Sequence, residues 1–274
     1  MKMLPFFIEK FSFSSDYPIH AHEYSQLFII TKGKAVHIIN NKQFQVKEGH
    51  VYVVNENSTH GFKNAENLEM YNILYNTEEL MKKAGSLKKI SGFQALFLIE
   101  PFYKSQFKCK SRMILDYEGQ KYVVSVLERL LREYKNKDFG FEVVFHSLFM
   151  LLVAYLSRKY TSSQNAGFDK AMKMAEAVAF LEANYTKEVC LDQLAEKACL
   201  SKRQFIRIFK ENYSVTPMRY ILQMKINNAC YLLNNTNKTI TEIALDCGFS
   251  DSNYFSRQFK KIMNVTPSQY QKNL

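Results

Sequence analysis

No two cysteines in this chain form a CxxC pair. The five present, Cys109, Cys190, Cys199, Cys230 and Cys247, are scattered and odd in number. That pattern excludes a CxxC redox centre and points to reduced thiols in a cytoplasmic protein. Acidic residues are also few: 26 Asp and Glu stand against 37 Lys and Arg, a net charge of +11. Such an excess of base suits nucleic acid or an anionic surface. The opening MKMLPFFIEKFSFSS is broken by Glu9 and Lys10, so no cleavable leader is expected. The apolar stretch at 139–156 is interrupted by Glu142, His146 and Ser147. It is expected as a buried helix rather than a membrane span. No nucleophile or general base stands in a recognisable constellation, so no enzyme is expected.

What remains is an ordinary globular composition, 47% hydrophobic and 23% charged over 274 residues. That length suits two domains. Residues 17–76 read as β structure. Apolar runs are punctuated at Lys32 and Gly33, Asn40 and Asn41, Glu48 and Gly49, and 55–58, which predicts many short strands in a small barrel or sandwich. From about residue 78 the texture becomes helical. Val123, Val124, Leu127, Leu130 and Leu131 fall at helical spacing, and with the apolar stretch at 139–156 they predict a helical hairpin suited to dimerisation. A polar segment, RKYTSSQNAGFD, follows as a linker. Residues 170–274 then read as all-helical and carry 15 basic and 9 acidic side chains, the denser half of the positive charge.

This last part repeats itself. At an offset of 49, Leu191, Leu194, Ala195, Leu200 and Ser201 match Ile240, Ile243, Ala244, Phe249 and Ser250. At an offset of 50, Phe205, Arg207, Phe209, Lys210, Thr216 and Pro217 match Phe255, Arg257, Phe259, Lys260, Thr266 and Pro267. The second copy therefore holds one extra residue near the start of its second helix. Each copy has the grammar of a helix-turn-helix. Alanine stands where two helices approach, a residue able to take φ > 0 (Gly248, with Cys199 in its place in the first copy) forms the turn, and Ser201 and Ser250 suit an N-cap. Phenylalanines at i, i+4 point inward. A second helix of this kind fits the major groove.

The motif IALDCGFSDSNYFSRQFKK followed by VTPSQYQ resembles the signature of the AraC/XylS family of bacterial transcription regulators. The resemblance covers about residues 170–274. It implies base-facing positions at Arg203, Ile206 and Arg207 in the first copy, and at Ser252, Asn253, Ser256 and Arg257 in the second. HAHEYSQLFIITKG and EGHVYVVNENSTHGF are similar to the two motifs of the family's cupin-like sensor domain. The stretch from YPIHAHEYSQLF to NLEMYNILY looks most like regulators of L-rhamnose catabolism. The implied fold is α+β with two domains: a cupin-like β-barrel with a helical dimerisation hairpin at 1–160, a linker at 161–169, and a two-motif DNA-binding domain at 170–274.

His20, His22 and His60, with Gln26, occupy places where enzymatic cupins hold a metal. Gln26 is neutral where a carboxylate is expected, and an amide is a poor ligand. No metal or other cofactor is therefore expected. The reading preferred from sequence is a ligand pocket lined by His20, His22, Glu23, Gln26, His60 and Tyr71. The whole is expected to be a sugar-controlled activator, dimeric, with double-stranded DNA, a monosaccharide (L-rhamnose being the candidate) and RNA polymerase as partners, and no membrane. The alternative is a metal-dependent cupin enzyme with a helical accessory domain.

Overall fold

The computed structural model describes residues 6–56, 58–99, 113–163 and 170–272. The chain forms two compact units, Met1–Ala175 and Glu176–Leu274.

Among the described residues the first unit is built on seven antiparallel strands: β1 (Phe6–Phe13), β2 (Tyr17–His20), β3 (Ser25–Ile39), β4 (Lys42–Lys47), β5 (His50–Val54), β6 (His60–Tyr75) and β7 (Met113–Ile114). The sheet order is β1-β6-β3-β5-β7, with β2 added to β6 and β4 added to β3. Two strands are long, 15 residues in β3 and 16 in β6. They pair along their length, but their halves take different neighbours. The start of β3 lies beside β5 and its end beside β4, so the sheet rolls over a shared interior. Phe28, Ile30, Ile39, Phe44, Tyr52, Phe62 and Met70 fill it.

Lys32 and Gly33, expected as a turn between two strands, lie inside β3. The pairing with β6 shifts register there, between Ile30 and Lys32 and again up to Val36. Gly33 has φ +77°, and a Cβ on it would stand 2.2 Å from the Asn67 carbonyl oxygen. A bulge of this kind bends a strand without ending it. The hairpin at Asn40 and Asn41 is as expected. Both residues have positive φ, as a tight two-residue turn requires. Strand β1, not foreseen in the opening residues, pairs with β6 from Phe6 against Tyr75 to Phe13 against Leu68.

Helices cover one side of this sheet. After α1 (Thr77–Lys83) and short helical turns to Ile99 come α2 (Tyr117–Asn136) and α3 (Phe141–Ser163). By length and composition α3 could cross a membrane. One of its faces is packed instead: Phe149 meets Phe6 at 5.1 Å and Tyr75 at 5.6 Å between ring centroids. The opposite face leaves Val143 and Leu151 exposed. The expected linker at 161–169 begins in the last turn of α3, and 164–169 lie outside the described residues.

The remaining chain is helical, as expected: α4 (Lys170–Asn184), α5 (Leu191–Lys197), α6 (Lys202–Tyr213), α7 (Pro217–Asn235), α8 (Ile240–Asp246), α9 (Ser252–Met263) and α10 (Pro267–Lys272). Pro217 starts α7 behind an N-cap from Thr216, where proline's missing N–H costs nothing.

Candidate functional site

The two copies of the repeat fold into the same local structure. Helix α5 ends with Leu200 N–H donating to Ala195 O (2.9 Å) and Cys199 N–H donating to Glu196 O (2.9 Å). Helix α8 ends with Phe249 N–H on Ala244 O (2.9 Å) and Gly248 N–H on Leu245 O (2.8 Å). Both are the paired bonds of a Schellman ending, with Cys199 (φ 53°) and Gly248 (φ 78°) in the left-handed position. Cys199 thus takes the conformation for which glycine stands in the second copy. Lys225 on α7 secures the second turn. Its Nζ donates to Gly248 O at 2.6 Å and lies 5.3 Å from the Phe249 ring centre.

The second helices start differently. Ser201 caps α6 in a reciprocal capping box with Gln204. In the second copy the cap is Asp251, not Ser250. Its carboxylate accepts from Asn253 N and Tyr254 N, each at 2.9 Å. The extra residue is thus absorbed in the turn, and a carboxylate that reaches two orphan N–H groups outcompetes the serine hydroxyl before it. Asp251→Ala is expected to cost about 1 kcal/mol, read as a lower denaturant midpoint with an unchanged slope. No change in midpoint would remove the cap from the account.

Phe205 and Phe209, and Phe255 and Phe259, are fully buried. The opposite faces look outward. Arg203, Arg207 and Lys210 are exposed on α6 with Ile206 half-buried beside them; Asn253, Arg257 and Lys260 are exposed on α9 with Ser252 and Ser256 half-buried. The expected DNA-facing residues therefore form one outward stripe in each copy. The stripes differ in charge. Arg207 is held by Glu211 at 3.3 Å, whereas Lys261 stands at the place in α9 that corresponds to Glu211.

In the first unit, three histidines converge. Ring nitrogens of His20, His22 and His60 all lie within 4.8 Å of one another. His22 Nε2 is 3.0 Å from His60 Nε2 and 2.9 Å from Gln26 Oε1. His37, which the sequence reading passed over, joins them with Nε2 at 3.4 Å from His60 Nδ1. Burial, with His20 and His22 adding charge repulsion, pushes the His60 pKa down to about 3. The structure does not bring Glu23 and Tyr71 into this group. Glu23 is exposed at the strand mouth. Tyr71 follows the interior residue Met70 on β6, so strand alternation turns it to the other face, where Glu128 adds to the burial that raises its pKa. Asn72 does face the interior, opposite Phe28 in the β3–β6 register. Its buried Oδ1 has no hydrogen-bond partner among the described residues.

Residues 194–273 match the family model described as helix-turn-helix domain. Residues 13–140 match the one described as AraC-like ligand binding domain. The chain is also 36% identical to an AraC-type transcriptional regulator from Chromobacterium violaceum of known structure, covering 89% of that chain and 36% of this one (TM-score 0.34). The chain belongs to the AraC family. A further relative is the HTH-type transcriptional activator RhaS of Salmonella arizonae, 27% identical over 92% of this chain and 86% of that protein.

This AraC-family regulator thus joins a DNA-binding unit to a ligand-binding one, with the two-part α+β architecture expected. The alternative of a metal-dependent cupin enzyme finds no support in these relatives. The residues that sequence reasoning missed, His37 and Asn72, carried a signal: each shares strand parity with interior neighbours. For His37, beyond the register shifts in β3, that parity could be used only once the bulge was known.

Proposed function

We propose that this regulator is a cytoplasmic activator of a carbohydrate-utilisation operon, controlled by a monosaccharide. Residues 1–160 would sense and dimerise, 161–169 link, and 170–274 read DNA. The observation that carries the reading is the repeat of one outward stripe in two copies, on a chain whose other unit is of a ligand-binding type. Arg203, Ile206 and Arg207, with Ser252, Asn253, Ser256 and Arg257, face base edges and phosphates in two successive major-groove segments. Activation implies contact with RNA polymerase.

The effector is assigned to the interior of the rolled sheet. His20, His22, Gln26, His37, His60 and Asn72 supply polar groups beside the apolar wall of Phe28 and Phe62, the mixture a sugar needs. L-Rhamnose is the first candidate, from the resemblance of the β2–β6 sequence to regulators of its catabolism. A thermal-shift panel of monosaccharides tests this. The midpoint should rise with ln(1 + [L]/Kd) for one sugar. If another sugar shifts it and L-rhamnose does not, the effector assignment is wrong.

The exposed Val143, Val144 and Leu151 on α3 fit a homodimer interface. Leu151→Glu should then convert a dimer to a monomer in sedimentation velocity. A parent chain that already sediments as a monomer at micromolar concentration would end this part of the reading.

A further inference from the structure

The three converging histidines are more than polar lining. His22 Nδ1 lies 2.5 Å from the Tyr24 carbonyl oxygen, and His20 Nδ1 lies 3.1 Å from that of Pro18. A carbonyl can only accept, so both Nδ1 atoms carry the proton. In a neutral ring Nε2 is then a bare lone pair; for His22 this holds with the Gln26 amide turned so that its nitrogen, not Oε1, faces Nε2 at 2.9 Å. His60 has the same option, since its Nδ1 faces His37 Nε2 at 3.4 Å. His22 and His60 thus turn Nε2 toward one another, a ring nitrogen of His20 joins them in a group no wider than 4.8 Å, and the Nδ1 atoms face outer partners. This is the arrangement by which a protein fixes the tautomer and orientation of metal-ligating histidines.

The spacing agrees. With metal–nitrogen bonds of about 2.0–2.1 Å, nitrogens around a tetrahedral ion stand roughly 3.3 Å apart. The His22–His60 separation of 3.0 Å is close to that, and the outer limit of 4.8 Å for the group needs only side-chain adjustment. His20 and His22 are half-buried and His60 is buried, so the place is enclosed on one side and open on the other.

The geometry points to a divalent transition-metal site formed by His20, His22 and His60, with the Gln26 amide beside it. Three neutral nitrogens with no carboxylate suit zinc and its neighbours, not magnesium or calcium. Three protein ligands leave a coordination position for water or for a hydroxyl group of a bound molecule. The site shares its residues with the effector region proposed above but does not depend on the effector being a sugar.

The test uses the full chain, stripped with EDTA and dialysed, then titrated with Zn2+ by calorimetry and with Co2+ by visible absorption. One ion per chain is expected, with the intense visible bands of tetrahedral Co2+. His20→Ala and His22→Ala, both at the open side, should each weaken binding by about 1000-fold or more, beyond the roughly 10- to 100-fold that loss of an outer partner can give. Gln26→Glu, which adds a carboxylate 2.9 Å from His22 Nε2 in the parent geometry, should tighten it by about 10-fold, a gain that a folding defect cannot mimic. His146→Ala, on α3, should leave binding unchanged. Absence of saturable one-to-one binding overturns the site, as does binding that His20→Ala and His22→Ala leave intact or that His146→Ala removes equally. Zinc binding with no response to any sugar would retain the metal site and refute the effector reading. A sugar response without zinc binding would do the reverse.

Discussion

Arg257→Ala is expected to weaken binding to the cognate operator by about 1–3 kcal/mol, roughly 5- to 150-fold. Arg207→Ala should do less. The two arginines hold the same place in the repeat, but Arg207 is paired with Glu211 at 3.3 Å. The guanidinium must leave that carboxylate, or share it, before it meets guanine or phosphate. Around Arg257 the helix carries Lys260 and Lys261, so the charge presented to DNA is undiluted. Gel-shift titrations over a salt series give two readouts. The slope of log K against log salt should fall by about 1 if the lost contact is to phosphate. If instead Arg257 reads a base, the slope is kept and one operator position becomes permissive. Equal losses at Arg207 and Arg257 would sink the argument from Glu211, and unchanged binding in Arg257→Ala would sink the assignment of this helix face.

Gly248→Ala is expected to disable the second helix-turn-helix altogether. Its φ of +78° is a left-handed conformation that costs an L-residue about 1–2 kcal/mol. A Cβ there would also stand 1.9 Å from the Thr186 carbonyl oxygen, a backbone atom that cannot swing aside. The two effects together should cost about 3 kcal/mol or more, a drop of roughly 10–20 °C in the transition of a unit of this size, with loss of DNA binding. Cys199 is the internal control. It already accepts the same conformation at φ 53°, so Cys199→Gly should be neutral or stabilise by up to about 1 kcal/mol. Differential scanning calorimetry on the two variants decides the matter. A Gly248→Ala chain that melts with the parent would mean that the turn relaxes freely.

The helical half was legible because its signals are local. Capping residues, phenylalanines four apart and a Pro after Thr are each read within one or two turns of helix. The repeat then supplied a second reading of every position. The one local error, Ser250 for Asp251 as the cap, arose where the inserted residue left two capping side chains side by side. Only their reach to Asn253 N and Tyr254 N chose between them. The sheet half was less legible because its signals are ambiguous. Lys32 and Gly33 read as a turn, yet Gly33 marks a bend inside a 15-residue strand. That bend decides which side chains reach the interior.

The sequence by itself determined that this protein carries two copies of a DNA-reading unit and which faces of their helices are outward. It did so because helix-turn-helix structure is specified by residues that are neighbours along the chain. Only the tertiary structure decided what His60 meets. Its partners His22 and His37 lie 38 and 23 positions away, and they come together through the pairing of β2 and β3 with β6. It also decided that Glu23 and Tyr71 stand apart from them. Strand register is a long-range property, and a single bulge changes the face on which every later side chain falls.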